Sequence, residues 1–268
     1  PVSVMNPSSE RMNTLRTTLH RGLLENLDFN FKNGSSNTLI YEHGTVFEKK
    51  GDTLKDIDQV SNFSCLVHGN FYDKGVHFDG VENNFFLLKG IATNAFQTLT
   101  KAKVKFVEDK SSYCDVFYRI VDNKKNTVGS IGSIADSFLD KLDIAHKTDV
   151  CVMDINTTFF TEHFNHSVKV KDIILYPVVT RDLNFKLDSG ANLGEVCSAM
   201  KSVNQSILQD VWPIDIYQSK EEKSKKNVLF KLSFQNIKKT LEDNEVNAII
   251  AQIISIVTKK FNAKLRDN

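Results

Sequence analysis

Long apolar runs are missing from this sequence: none approaches the roughly 20 residues that a membrane-spanning helix requires, so no spanning segment is expected. Nor does a basic stretch followed by an apolar one open the chain, so no secretory leader is read there. The four cysteines, Cys65, Cys114, Cys151 and Cys197, form no C-x-x-C pair. That spacing argues against a zinc knuckle and a disulfide framework and favours buried free thiols in a reducing cytoplasm. No Gly-x-Ser-x-Gly elbow is present, so Ser8 and Ser9 read as caps rather than as nucleophiles served by His20. His163 and His166 lack evident third and fourth ligands, so solvated or hydrogen-bonded histidines are expected, with no metal. Arg11, Arg16 and Arg21 lie five apart and cannot share one helical stripe.

What is present suits a globular chain: 268 residues, 41% hydrophobic and 25% charged, enough for one large domain or two ordinary ones. The opening Pro1-Val2-Ser3-Val4 reads as the start of a piece taken from something longer. Net charge is only +1, but residues 171 to 268 hold 15 Lys and Arg against 12 Asp and Glu, making that half the better candidate to meet a polyanion. Along the first part, Leu15, Leu19, Leu23, Leu24 and Leu27 recur at helical spacing. TLIYEHGTVFEKKGD reads as the first member of a strand pair, and residues 84 to 99 as a helix. Strands are expected over 104–107 and 114–121, then a glycine-punctuated stretch VGSIGSIADSFLDKLDI, then a strand over 150–159. Long strands with few helices imply an antiparallel sheet with flanking helices, an α+β layout. The polar run TEHFNHSVKVK marks a boundary, dividing the chain into 1–168 and 169–268.

The second part reads as strand 181–187, helix 193–203, strands 208–217 and 228–235, helix 243–261 and strand 263–266. This βαββαβ order is ferredoxin-like, with both helices on one face of a four-stranded antiparallel sheet. Strict alternation places Leu183, Phe185, Leu187, Ile214, Ile216, Phe230, Leu232, Phe234, Ala263 and Leu265 beneath the helices. The other face is then left with Asn184, Lys186, Asp215, Tyr217, Lys231, Ser233, Gln235, Lys264 and Arg266. Such a surface, basic and carrying an aromatic ring, suits single-stranded RNA. An ordinary solvated sheet face has the same pattern.

Several stretches then carry a family resemblance. YPVVTRDLNF, VWPIDIY, the strand ending Phe234-Gln235, TLEDNEVN and AKLR resemble, in order and spacing, the ferredoxin-fold anticodon-binding domain of phenylalanyl-tRNA synthetases. Two departures stand out: the loop after Tyr217 reads QSKEEKSKKN instead of carrying the usual Gly and Ser, and Glu242 replaces the usual Thr cap, although an acidic group still suits a helix N-terminus. NPSSERMNTLRTTLHRGLLENL, LIYEHGTVF, FFLLKG and VGSIG resemble, respectively, the Asn-Pro-x-Ser helix, the Phe-Glu-x-Gly strand, the Lys-Gly helix and the Gly-x-x-Gly turn of the bacterial-type β subunits of these enzymes. Ala135-Asp136 stands where the family has His-Pro.

The resemblance implies an α+β chain, in which a catalytically silent class II synthetase-like module (1–168) precedes an anticodon-binding domain (169–268). Glu48 follows Phe47 where an active class II site has a phosphate-binding Arg, and no glycine-rich strand ending in Glu-Arg is present. This part of the β subunit would therefore carry no cofactor and no catalytic residue. In the cytoplasmic α2β2 enzyme it would support the α subunit and hold tRNA-Phe, while the holoenzyme uses ATP and magnesium. A ferredoxin-like interaction or regulatory module without RNA specificity is the alternative.

Overall fold

The computed structural model describes residues 2–9, 13–51, 53–100, 102–145, 148–165, 174–219 and 222–266. It divides into two compact units, residues 1–168 and 169–268.

The first unit runs α1 (His20–Lys32), β1 (Thr38–Lys49), β2 (Ile57–His68), β3 (Asn70–Tyr72), β4 (Val81–Glu82), α2 (Phe85–Leu99), β5 (Lys105–Glu108), β6 (Cys114–Val121), β7 (Thr127–Ile134), α3 (Asp136–Lys141), β8 (Cys151–Asn156) and α4 (Thr157–His163). Six strands form one antiparallel sheet in the order β1-β2-β8-β7-β6-β5, and β3 pairs with β4 as a separate ribbon. Alternation along β2 and β8 sends side chains to both sides, and both sides are clad. Cys65, Val67, Met153 and Ile155 pack with Leu88, Ala92 and Phe96 of α2 and Phe159 of α4. Leu66 and Val152 pack with Leu23, Leu24 and Leu27 of α1 and Leu139 of α3.

Three local expectations are corrected here. Leu15 and Leu19 precede the first helix, because the chain around Arg16 runs beside β1: its carbonyl accepts from Phe47 N–H at 2.9 Å and its Nε donates to Thr45 O at 2.9 Å. VGSIG lies within strand β7 and is not a turn. Its glycines permit close strand approach, since a Cβ on Gly129 would fall 2.4 Å from Asp154 O and one on Gly132 2.8 Å from Val116 O. The strand expected over 150–159 stops at Asn156, whose side chain accepts from Thr158 N–H and so starts α4.

The second unit runs β9 (Val179–Asp188), α5 (Leu193–Lys201), β10 (Leu208–Tyr217), β11 (Lys225–Phe234), α6 (Asp243–Phe261) and β12 (Lys264–Arg266). The sheet order β10-β11-β9-β12, antiparallel throughout, is the ferredoxin-like arrangement. Asn192 caps α5 by accepting from Glu195 N–H. Glu242 and Glu245 form a reciprocal box at the start of α6, and Asn262 ends that helix in the left-handed region at φ 49°. Val246, Ile249, Ile253 and Val257 of α6 are buried against Phe185, Phe230 and Leu232. Each such side chain contributes about 1.5–3 kcal/mol relative to exposure.

Candidate nucleic-acid interface

Both helices of the second unit lie on one face of its sheet, so the content of the other face follows from register, because residues directly opposite in an antiparallel ladder share a face. Lys264 lies opposite Lys186, Lys186 opposite Asn227, and Asn227 opposite Tyr217. The next row is Arg266, Asn184, Leu229 and Asp215, and the one after it Asp182, Lys231 and Trp212. Thr180, Ser233 and Asp210 follow.

Eight of the nine residues expected on this surface therefore share the uncovered face. Gln235 lies beyond the end of β11, where its Nε2 donates to Tyr176 O at 2.8 Å and its N–H donates to Ile207 O at 2.9 Å. It ties down neighbouring backbone.

The helix-covered side needs a larger correction. Ile214 and Ile216, expected in the core, are 45% and 53% exposed. The β10–β11 register shifts between Pro213 and Asp215, leaving Ile214 unpaired as a bulge, while Ile216 lies opposite Val228 on the helix side. The extra residue also changes the phase of the strand. Counting by twos groups Trp212 with Ile214 and Ile216, yet Trp212 lies opposite Lys231 on the uncovered face. The available signal was Pro213, since proline inside a strand marks an edge or a bulge. Asn227, Leu229 and Asp182 also join the face by register.

Charges on this face are mixed. Lys186 Nζ sits 2.6 Å from Glu222 Oε2, and Asp182 faces Lys231. Lys231, Lys264 and Arg266 have no ion-pair partner among the described residues. Asp215 Oδ1 accepts from Ile216 N–H at 2.9 Å. The Oδ1 atoms of Asn184 and Asn227 are buried and accept nothing among the described residues. The face thus offers two aromatic rings and three cations without an ion-pair partner among the described residues.

In the first unit, the polar groups around Asp154 engage one another, while the buried Asp28 Oδ1, Thr38 Oγ1 and Asn83 Oδ1 have no hydrogen-bond partner among the described residues. His20 Nε2 lies 2.9 Å from Asp154 Oδ2 and its Nδ1 lies 3.1 Å from the Tyr113 hydroxyl, while Ser64 Oγ donates to Asp154 Oδ1. Burial is the main cause pushing the Tyr113 phenol above its ordinary value, so that group stays protonated. His20 is thereby a structural histidine. Glu48 lies opposite Asp58, whose carboxylate is paired with Lys50. Two carboxylates facing each other do not fit a nucleotide phosphate.

His163 stacks on Phe159 at 4.3 Å and its Nδ1 lies 3.0 Å from Phe159 O. His166 and Arg11 lie outside the described residues. Among those described, no group of three or more His, Cys, Asp or Glu is placed to hold a metal, and no helix is long and apolar enough to cross a membrane. Burial pushes the Cys65 and Cys114 thiols up to about 11, Cys151 to about 12, and raises Cys197 as well.

Comparison with known proteins follows the same division. The family described as Phenylalanyl tRNA synthetase beta chain CLM domain matches residues 1–157, and the family described as Ferredoxin-fold anticodon binding domain matches residues 175–266. The phenylalanine–tRNA ligase beta subunit of Lactococcus lactis subsp. lactis is 26% identical over 265 residues, covering 98% of this chain and 33% of that protein. The same subunit of Oceanobacillus iheyensis is 28% identical over 273 residues, covering 99% of this chain and 33% of that protein. The chain thus spans about a third of the length of these relatives. Among solved structures, a pyrrolysyl tRNA synthetase from Desulfitobacterium hafniense covers 55% of this chain and 48% of its own at 12% identity. Its TM-score of 0.42 is too low to carry a conclusion.

Proposed function

The chain belongs to the phenylalanyl-tRNA synthetase beta chain family, and from that premise we propose that it is the C-terminal part of a phenylalanine–tRNA ligase β subunit that grips the anticodon of tRNA-Phe. Residues 169–268 act as the anticodon-binding domain, and residues 1–168 as a catalytically silent class II synthetase-like module. That module supports a catalytic α subunit in a cytoplasmic α2β2 enzyme, where ATP and magnesium serve aminoacylation elsewhere in the assembly. The opposed carboxylates of Glu48 and Asp58 support that division of labour.

The observation carrying the RNA reading is the uncovered face of β9–β12. There Lys231, Lys264 and Arg266 are free to meet phosphates, Tyr217 is 62% exposed for stacking, and Asp215 accepts from a base edge. Lys186, Ser233 and Asn184 supply further contacts, and Gln235 holds the adjoining backbone in place. Titration of the chain with tRNA-Phe and with an anticodon-altered version, each at two salt concentrations, tests the reading. Tighter binding of the native anticodon is expected. Equal, salt-sensitive binding of both would reduce the domain to a weakly basic interaction module.

A further inference from the structure

We infer that Trp212 is a second base-stacking platform on the uncovered sheet face, seating a nucleotide of the same single-stranded RNA segment that meets Tyr217. The inference rests on the RNA reading above and adds a residue that the alternation reading left on neither face.

Trp212 and Tyr217 belong to the same strand and, through the bulge between Pro213 and Asp215, project to the same face, opposite Lys231 and Asn227 respectively. Those two partners are four residues apart on β11, about 13 Å at ~3.3 Å per residue. Between the rings lies the row that contains Asp215 and Leu229. Three successive rows thus present a ring, a hydrogen-bonding carboxylate beside an apolar side chain, and a second ring. An extended single strand needs this repeat, because every base has a face to stack while edge readout is required only where identity matters.

Trp212 is 37% exposed, so its ring is available to a base. Lys231 lies directly across the ladder from Trp212 and has no ion-pair partner among the described residues, so it can serve a phosphate flanking a stacked base. Strand addition at this edge is a poor competing use for the ring. Pro213 has no N–H to donate and β10 is interrupted by two register shifts, both of which blunt an edge.

Trp212 is the only tryptophan in the chain, so its fluorescence reports on this position alone. The experiment titrates the whole chain with a labelled RNA hairpin carrying the phenylalanine anticodon loop, following RNA anisotropy and tryptophan emission together. The expected result is quenching of Trp212 with the same midpoint as the anisotropy change. Trp212→Ala should weaken binding about tenfold, and Trp212→Phe should recover most of that loss, which separates stacking from a fold defect. RNA binding with unchanged tryptophan emission and an unaffected Trp212→Ala variant would overturn the inference while leaving the open-face reading intact. Absence of binding by the unaltered chain would remove both.

Discussion

The six-stranded sheet carries helices on both faces, α1 and α3 on one and α2 and α4 on the other, whereas the four-stranded sheet carries α5 and α6 on one face and, among the described residues of its unit, no helix on the second. On the doubly clad sheet, polar side chains are obliged to satisfy one another, since a buried unpaired group is costly. His20, Asp154, Ser64 and Tyr113 do so. On the half-clad sheet Lys231, Lys264 and Arg266 have no ion-pair partner among the described residues, whereas buried acceptors without a hydrogen bond occur in both units, at Thr38 and Asn83 as well as at Asn184 and Asn227. The comparison teaches that polar content alone does not identify a binding face. Cladding decides whether the same residue types build a core or await a ligand.

Substitutions can break this contrast in order of size. Phe230→Ala removes a fully buried ring beneath α5 and α6. A loss of roughly 3–5 kcal/mol is expected in a denaturant titration, with RNA binding lost in parallel. His20→Ala leaves Asp154 Oδ2 and the Tyr113 hydroxyl without their His20 partner in the first unit, a cost of about 1–3 kcal/mol. Its RNA affinity should match that of the unaltered chain, and a matching drop would sink the separation of roles.

On the bare face, Arg266→Ala should weaken tRNA binding roughly tenfold and lower the salt slope by about one, with an unchanged circular dichroism melt. Unchanged affinity would take Arg266 out of the interface. The smallest effect concerns Lys186, held 2.6 Å from Glu222. Glu222→Gln should release that ammonium and raise affinity about twofold. A reduction instead would mean that Glu222 itself contacts the RNA.

Much of the second unit was legible in advance. The apolar spacing of Val246, Ile249, Ile253 and Val257 marked α6, and the alternation of Leu183, Phe185 and Leu187 marked the buried side of β9. The misreadings have separate causes. Ile214 was assigned to the core by counting in twos, whereas the bulge leaves it unpaired and puts Trp212, on its near side, on the opposite face from Ile216. VGSIG was read as a turn from its glycines, although those glycines admit neighbouring strands to a β-ladder. The surface was read as more basic than it is, because Asp182 and Glu222 are placed beside Lys231 and Lys186 from elsewhere in the chain.

By itself, the sequence determined what local chemistry can specify: where the apolar period is two and where it is near four, and that Asn192 and Glu242 can begin helices. It also determined that β11 has one apolar and one polar side. Tertiary structure alone decided which of those sides is covered, which lysines find carboxylates and which ring reaches the open face. Periodicity depends on neighbours a few bonds away. The pairing of Lys186 with Glu222, of Trp212 with Lys231 and of His20 with Asp154 instead depends on distant segments brought together by sheet register and helix packing.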